Sequence, residues 1–125
     1  MGIKKVLIVD DEAHIRDILK LRLQIAGFKT VDANCGKQAI KIIPKENPDL
    51  VILDVMMPDI DGWEVCRYIR NQPEVAHVLI VMLTAKNEIR DRELGIQVGV
   101  NGYVTKPFSP NELVERIRKL ESLVD

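Results

Sequence analysis

Short apolar runs alternate with longer amphipathic stretches along this chain. The segments 5–9, 50–53 and 78–83, which are apolar throughout except for Lys5, predict strands that are buried on both faces. The more polar run 28–33 and the short run Tyr103-Val104 predict two further strands. Apolar residues at helical spacing predict five intervening helices. These lie at 12–26, 36–46, 63–71, 87–98 and from Pro110 onward.

Five alternating strand and helix units predict one α/β domain over residues 1–125. Such units form a parallel sheet with right-handed crossovers and helices on both faces. The three most apolar strands should be central, which the strand order 2-1-3-4-5 satisfies. We therefore expect a doubly wound, flavodoxin-like fold with five strands and five helices.

Several local features refine this expectation. The first helix should bury one broad stripe and end at Gly27 as its C′ residue. The members of that stripe are Ile15, Ile18, Leu19, Leu23 and Ile25. Pro44 should break the last turn of the second helix. Ser109 should cap the last helix, with Pro110 at its first position. The fourth helix has only a thin apolar stripe, which is typical of a loosely held element.

The composition narrows the class of protein. A net charge of −1 gives no reason to expect binding to nucleic acid or to an anionic membrane. No apolar stretch approaches the roughly 20 residues of a membrane helix, and the N-terminus does not resemble a signal peptide. Cys35 and Cys66 have no metal-ligand spacing, and Cys66 should lie on the inner face of its helix. We read both as reduced thiols in a cytoplasmic protein.

Polar side chains follow four of the predicted strands. Asp10-Asp11, Asp54, Thr84 and Lys106 each come at or shortly after the end of an apolar run. Because the carboxyl ends of parallel strands lie along one edge, these side chains should meet in one crevice. Clustered carboxylates need protons or a cation, and oxygen ligands favour Mg²⁺. His14 and His77 are expected on the surface, so zinc is disfavoured.

This set of groups suits phosphoryl transfer to an aspartate. Asp54 stands alone at the end of a central strand and is the best nucleophile. A metal ion, Lys106 and the Thr84 hydroxyl could each hold one phosphoryl oxygen. Taken singly, each residue has an ordinary reading as a helix cap, a turn residue or a solvated side chain. Their joint placement at four strand ends favours the site.

The motifs resemble the receiver domain of two-component response regulators over nearly the whole chain. They are VLIVDDE at 6–12, LVILDVMMPDIDGWE at 50–64, VMLTAK at 81–86 and GYVTKPF at 102–108. The resemblance implies that Asp54 accepts a phosphoryl group from a histidine kinase, a phosphotransfer protein or a small phosphodonor. Asp11 would bind Mg²⁺ directly, Asp10 mostly through water, and Met56 through its backbone carbonyl.

The resemblance also implies a conformational response. Thr84 and Tyr103 match the switch pair of this family, although packing alone would explain Tyr103. Lys106 matches the phosphate-contacting lysine, followed by a cis bond to Pro107. Phosphorylation would change the face formed by the fourth helix, fifth strand and fifth helix, which controls a downstream protein or a fused output domain. The only catalysis would be the chain's own phosphorylation and dephosphorylation.

Three other readings were compared with this one. Asp10-Asp11 would repel the phosphate of FMN, which argues against a flavodoxin-like carrier. A Mg²⁺-dependent phosphatase needs a general acid where this chain has Met56. A degenerate receiver that binds proteins without phosphorylation is the remaining alternative. The positions Val100-Asn101-Gly102 lack the acidic residues on which the salt-bridged dimer face of many such domains depends.

Overall fold

The computed structural model describes residues 2–85 and 99–124. The strands are β1 (Lys5–Val9), β2 (Lys29–Ala33), β3 (Leu50–Asp54), β4 (Leu79–Ala85) and β5 (Gly102–Lys106). The helices are α1 (Ala13–Ile25), α2 (Gly36–Glu46), α3 (Gly62–Arg70) and a C-terminal helix (Pro110–Val124). The predicted fourth helix at 87–98 lies outside the described residues. Among those that are described, no helix combines the length and the apolar character needed to span a membrane.

The five strands form one parallel sheet in the order β2-β1-β3-β4-β5, as predicted. Alternate residues of each central strand enter opposite cores, which explains why these strands are apolar throughout. In β1, Leu7 and Val9 pack toward α2 and α3, whereas Val6 and Ile8 pack toward α1 and the C-terminal helix. Both faces of the sheet are therefore covered, and the α/β architecture is confirmed.

Helix α1 buries a narrower stripe than its sequence suggests. Leu19 and Leu23 are buried, and Ile15 packs at the margin of the core. Ile18 and Ile25 remain 46% and 68% exposed, so their predicted burial is wrong. Successive helical positions turn by about 100°, and only the line through Leu19 and Leu23 faces the sheet.

The helix ends follow local backbone chemistry. At the end of α1 the Phe28 N–H donates to Leu23 O at 3.0 Å, and Gly27 has a φ of 101°. This is a Schellman motif with glycine at C′, as predicted. The Ser109 hydroxyl accepts from Glu112 N at 3.2 Å and caps the C-terminal helix. The Lys106-Pro107 peptide bond is cis, as the resemblance implied.

Pro44 does not break α2, contrary to expectation. The helix continues to Glu46 and ends at Asn47, which has a φ of 47°. A proline this close to the C-terminus removes only one intrahelical donor, and the Asn47 N–H still bonds Ile43 O at 2.9 Å. The left-handed Asn47 then ends the helix.

Arg70 joins the end of α3 to the chain on both sides of β4. Its guanidinium donates to the carbonyl oxygens of Ala76, Val78 and Gly99, and to Asn101 Oδ1 at 2.9 Å. Asn101 Oδ1 also accepts from Ile80 N. Burial lowers the pKa of the Arg70 guanidinium. All of these bonds lie where β4 and β5 begin, at the amino-terminal edge of the sheet. The polar strand ends lie at the opposite, carboxyl edge.

We expect Arg70→Met to lower the free energy of unfolding by about 2–3 kcal/mol, because two part-buried carbonyl groups, those of Ala76 and Val78, lose their donor. Arg67→Met is the matched control on the same helix. Among the described residues Arg67 pairs with the exposed Glu64 at 2.6 Å, and its loss should cost about 0.5 kcal/mol or less. Urea unfolding measures both, and equal effects would contradict the tethering role of Arg70.

Candidate phosphoryl and metal site

Three charged side chains meet at the carboxyl edge of the sheet. Asp10 follows β1, Asp54 ends β3 and Lys106 ends β5. The Lys106 Nζ lies 2.9 Å from Asp54 Oδ2 and 4.0 Å from Asp10 Oδ2. The long lysine side chain reaches across β4 to join residues that are far apart in sequence. Parallel strand direction alone brings these groups together, as the sequence predicted.

Asp10 is a fully buried carboxylate with one unsatisfied oxygen. Its Oδ1 accepts from Glu12 N at 2.9 Å, whereas its Oδ2 has no hydrogen-bond partner within the described residues. Burial raises the pKa of Asp10 to about 6, and the charge of Asp54 adds to this. The Glu12 N–H and the Lys106 charge oppose the rise. A buried acceptor in this position favours a bound cation.

Lys106 is the one cation that contacts both buried carboxylates in the described part of the chain. Burial by itself lowers the pKa of Lys106, but its hydrogen bond to Asp54 and the charges of Asp54 and Asp10 outweigh burial. The pKa of Lys106 is therefore raised, and its side chain stays an ammonium. One positive charge against two acidic groups leaves the site short of positive charge.

The Asp54 carboxylate is held at both oxygens. Oδ1 accepts from Met56 N at 3.1 Å, and Oδ2 binds Lys106. The next loop folds back against it, because Gly62 N donates to Val55 O at 2.9 Å. A Cβ on Gly62 would lie 2.5 Å from Asp54 O, so only glycine fits without moving the strand end. Asp54 is 3% exposed. The backbone of Met56 and Gly62 contacts it and holds it in place.

Asp10 also belongs to a second group of carboxylates, formed with its two neighbours in the chain. Oxygens of Asp10, Asp11 and Glu12 lie within 4.8 Å of one another, with Asp11 and Glu12 exposed. Oxygen-only ligands on a partly open rim suit Mg²⁺, which keeps several waters. Sequence reasoning named Asp10 and Asp11 but not Glu12. The Met56 side chain is 75% exposed, and a thioether is a soft ligand that Mg²⁺ does not favour.

Thr84 and Tyr103 lie on the same face of the sheet. Thr84 pairs in register with Thr105, and Tyr103 with Met82, so both side chains point toward the α3 side. Thr84 is buried and Tyr103 is half-buried. The structure extends β4 and β5 through Thr84 and Lys106, so these residues lie within the strands rather than after them.

Arg16 is a site residue that sequence reasoning missed. Its Nη1 donates to Asp10 O at 2.7 Å, and its Nε donates to Asp32 Oδ2 at 3.1 Å. It therefore ties the end of β1 to the neighbouring strand β2. No periodic pattern marks a residue that binds a backbone carbonyl. His14 and His77 are exposed, as predicted.

A comparison with protein-family models matches residues 6–118 to the response regulator receiver domain. The chain belongs to this family. It is therefore a regulatory domain of two-component signalling rather than an enzyme of the usual kind. Members of this family receive signals from histidine kinases and pass them to output partners.

Curated relatives and solved structures agree with this assignment. The chain is 50% identical to the probable transcriptional regulator ycf27 of Porphyra purpurea over 94% of its length, which is 47% of that protein. It is 44% identical over 94% of its length to the regulator PhoP of Bacillus subtilis, covering 48% of PhoP. The chain thus spans about half the length of these relatives.

Solved structures of related domains share the fold. The chemotaxis response regulator CheY4 of Vibrio cholerae matches with a TM-score of 0.89 at 33% identity, covering 94% of this chain and 98% of CheY4. The receiver domain of the Francisella response regulator 1452 matches with a TM-score of 0.88 at 31% identity. That match covers 98% of this chain and 99% of the other.

The raised pKa of Asp10 predicts that this residue lowers the free energy of unfolding of the metal-free protein in a pH-dependent way. The folded state binds this proton more tightly than the unfolded chain, so the contribution of Asp10 to stability is greatest below about pH 4 and falls as pH rises from there through about 6. Asp10→Asn cannot ionise and should be more stable than the original by about 1–3 kcal/mol above pH 7. The gain should vanish near pH 4.

Unfolding in a chelating buffer at pH 4, 5.5 and 7.5 measures this difference. Asp11→Asn is the control, because it removes a neighbouring but exposed carboxylate. It should change stability by about 0.5 kcal/mol or less at each pH. A gain for Asp10→Asn that is the same at every pH would show that ionisation of Asp10 is not its cause.

Proposed function

We propose that this domain is a phosphorylation-controlled switch in which Asp54 accepts a phosphoryl group with the help of Mg²⁺. The observation that carries the proposal is the contact of Asp54 with Lys106 beside the Asp10 Oδ2, which has no hydrogen-bond partner in the described part of the chain. A nucleophile, a fixed cation and an acidic cation site lie together, which is what transfer of phosphorus to a carboxylate requires.

In the proposed reaction an Asp54 carboxylate oxygen forms a bond to phosphorus. The bond from phosphorus to its donor breaks, and the leaving group is the imidazole of the donor protein's histidine, which takes up a proton, or acetate. Lys106 stays at the site and neutralises one phosphoryl oxygen, while the Thr84 hydroxyl can bind another. Mg²⁺ held by Asp10, Asp11, Asp54 and the Met56 carbonyl would supply further charge neutralisation.

The acyl phosphate would be lost to water within the same site. Met56 offers no carboxylate as general acid or base, so turnover of outside phosphate esters is not expected. The catalysis proposed for this chain is therefore confined to its own aspartate. This keeps the domain a regulator, in line with its family.

The output would follow from the shared face of Thr84 and Tyr103. We propose that Thr84 moves toward the phosphoryl group and that Tyr103 turns inward, which shifts a population between two packings. The surface formed by the predicted fourth helix, β5 and the C-terminal helix would then change its partner preference. Relatives named as transcriptional regulators are about twice as long, so the partner is a fused output domain or a separate protein.

An apolar groove next to the site supports docking of a donor protein. It measures about 480 Å³ and lies between α1 and the loop after β5. Ile15, Ile18, Pro107 and Phe108 line it, with Lys106 at the same rim. Ile18 lines this groove instead of joining the core. An exposed apolar surface at this place suits a histidine kinase or phosphotransfer protein. The cytoplasmic setting expected from the sequence stays a prediction.

Incubation with acetyl phosphate and Mg²⁺ should add one phosphoryl group to the intact chain. The measurement is intact-mass spectrometry, and Asp54→Asn and added chelator should each abolish the adduct. Asp49→Asn is the matched control, because Asp49 bonds the backbone of Lys4 and Lys5 away from the site. No adduct with acetyl phosphate or with a histidine kinase, from a folded chain, would favour a phosphorylation-independent binding module.

Ile18→Ser should separate the two routes of phosphorylation. It removes apolar surface from the groove without touching Asp54, so labelling by acetyl phosphate should be unchanged. Transfer from a histidine kinase that labels the original chain should slow by about tenfold, as for the loss of one buried anchor. Leu123→Ser, on an exposed residue of the C-terminal helix, is the control. Equal transfer rates for both variants would exclude the groove as the docking surface.

A further inference from the structure

The loop from Val55 to Asp61 joins the phosphoacceptor to α3 and carries Met56. Its ends are fixed by backbone bonds from Val55 N to Leu83 O at 3.1 Å and from Gly62 N to Val55 O at 2.9 Å. Between these ends the loop bonds to α2 through one side chain, that of Asp59. The family resemblance assigns no role to this residue.

Asp59 caps a helix to which it does not belong. Its Oδ1 accepts from Gly36 N at 3.1 Å, and its Oδ2 accepts from Lys37 N at 2.8 Å. The residue at the N-cap of α2, Cys35, makes no side-chain bond to the free N–H groups of that helix. The Lys37 N–H, and then those of Ile60 and Gly36, hold the pKa of Asp59 well below its usual range. The clamp therefore keeps its charge at ordinary pH.

The loop also packs against α2 without free space. A Cβ on Gly36 would lie 2.4 Å from Ile60 Cγ1 and 2.9 Å from Ile60 O. Ile60 and Met57 pack against the core between α2, α3 and the sheet. The middle of the loop therefore packs against the first turn of α2. Gly36 leaves room for Ile60, and Asp59 binds the N–H groups of that turn.

We propose that Asp59 is a positioning residue that sets the place of the Met56 carbonyl by clamping its loop to α2. This inference rests on the proposed function, in which that carbonyl binds Mg²⁺. Only residues 56–58 separate the anchored Val55 from Asp59, and the φ of Pro58 is fixed by its ring. A span this short passes a shift of Asp59 on to Met56. Asp59 itself touches neither metal nor phosphoryl group.

If Asp59 only caps α2, removing its side chain should lower stability and leave the affinity for Mg²⁺ unchanged. Asp59→Ala removes the clamp, and Gln38→Ala is its matched control. The Gln38 Oε1 accepts from Asn34 N, which lies at the same end of α2 and outside the loop. Both variants should lower the melting temperature, since each removes a bond at the start of the helix.

The deciding measurement is a Mg²⁺ titration followed by heteronuclear NMR. Asp59→Ala should raise the half-saturating Mg²⁺ concentration by about threefold to tenfold, less than the 10–100-fold effect of residues that contact a metal ligand directly. Gln38→Ala should leave it unchanged. Gly36→Ala should raise it as well, because the added methyl group pushes Ile60 without changing any charge.

The outcomes separate this inference from the proposed function. If the original chain shows no saturable response to Mg²⁺, the proposed function and this inference both fail. If the original chain binds Mg²⁺ and neither Asp59→Ala nor Gly36→Ala weakens binding, Asp59 is a cap only and the inference is overturned. Should Asp59→Ala not fold, Asp59→Asn, which keeps one acceptor, and Gly36→Ala decide the question by the same titration.

Discussion

One lysine facing two buried carboxylates is the constraint on which the site depends. The Lys106 Nζ is at hydrogen-bond distance from Asp54 and at 4.0 Å from Asp10. Among the described residues the Asp10 Oδ2 has no hydrogen-bond partner, so its charge is compensated there only in part. This excess of negative charge would attract a divalent cation, and the cation together with Lys106 would then favour a phosphoryl group at Asp54.

The sheet and the loops after it share the task of holding these groups. Parallel register brings the ends of β1, β3 and β5 to one edge, while Arg16 fixes the backbone of Asp10. The loop after Asp54 is pressed against the strand end at Gly62 and against α2 at Asp59. Rigid backbone surrounds the carboxylates, which is the preorganisation that transition-state charge requires.

Strand direction made much of this predictable from the sequence. Unbroken apolar runs identify the central strands, and the polar residues that end those runs must then share an edge. Asp10, Asp54 and Lys106 could be grouped in this way before any coordinates were known. Local rules also sufficed where the chemistry is local, as at Gly27 and Ser109.

The features that escaped prediction depend on long-range contacts. Arg16, Arg70 and Asp59 bind backbone atoms of other elements, and no spacing in the chain reveals such partners. The apolar stripe on α1 is wide enough to include Ile18 and Ile25, and the sequence does not say which part of that stripe meets the sheet. Ile18 lines the apolar groove beside the site, whereas Ile25 does not.

The most direct test of the account is a crystal structure of the chain with Mg²⁺ and beryllium trifluoride, a mimic of the phosphoryl group. The account predicts the mimic on an Asp54 oxygen, in contact with Lys106 and Thr84. It also predicts a cation about 2.1 Å from oxygens of the acidic group and of Met56. A mimic on another residue, or a well-ordered crevice with neither group at saturating concentrations, would contradict it.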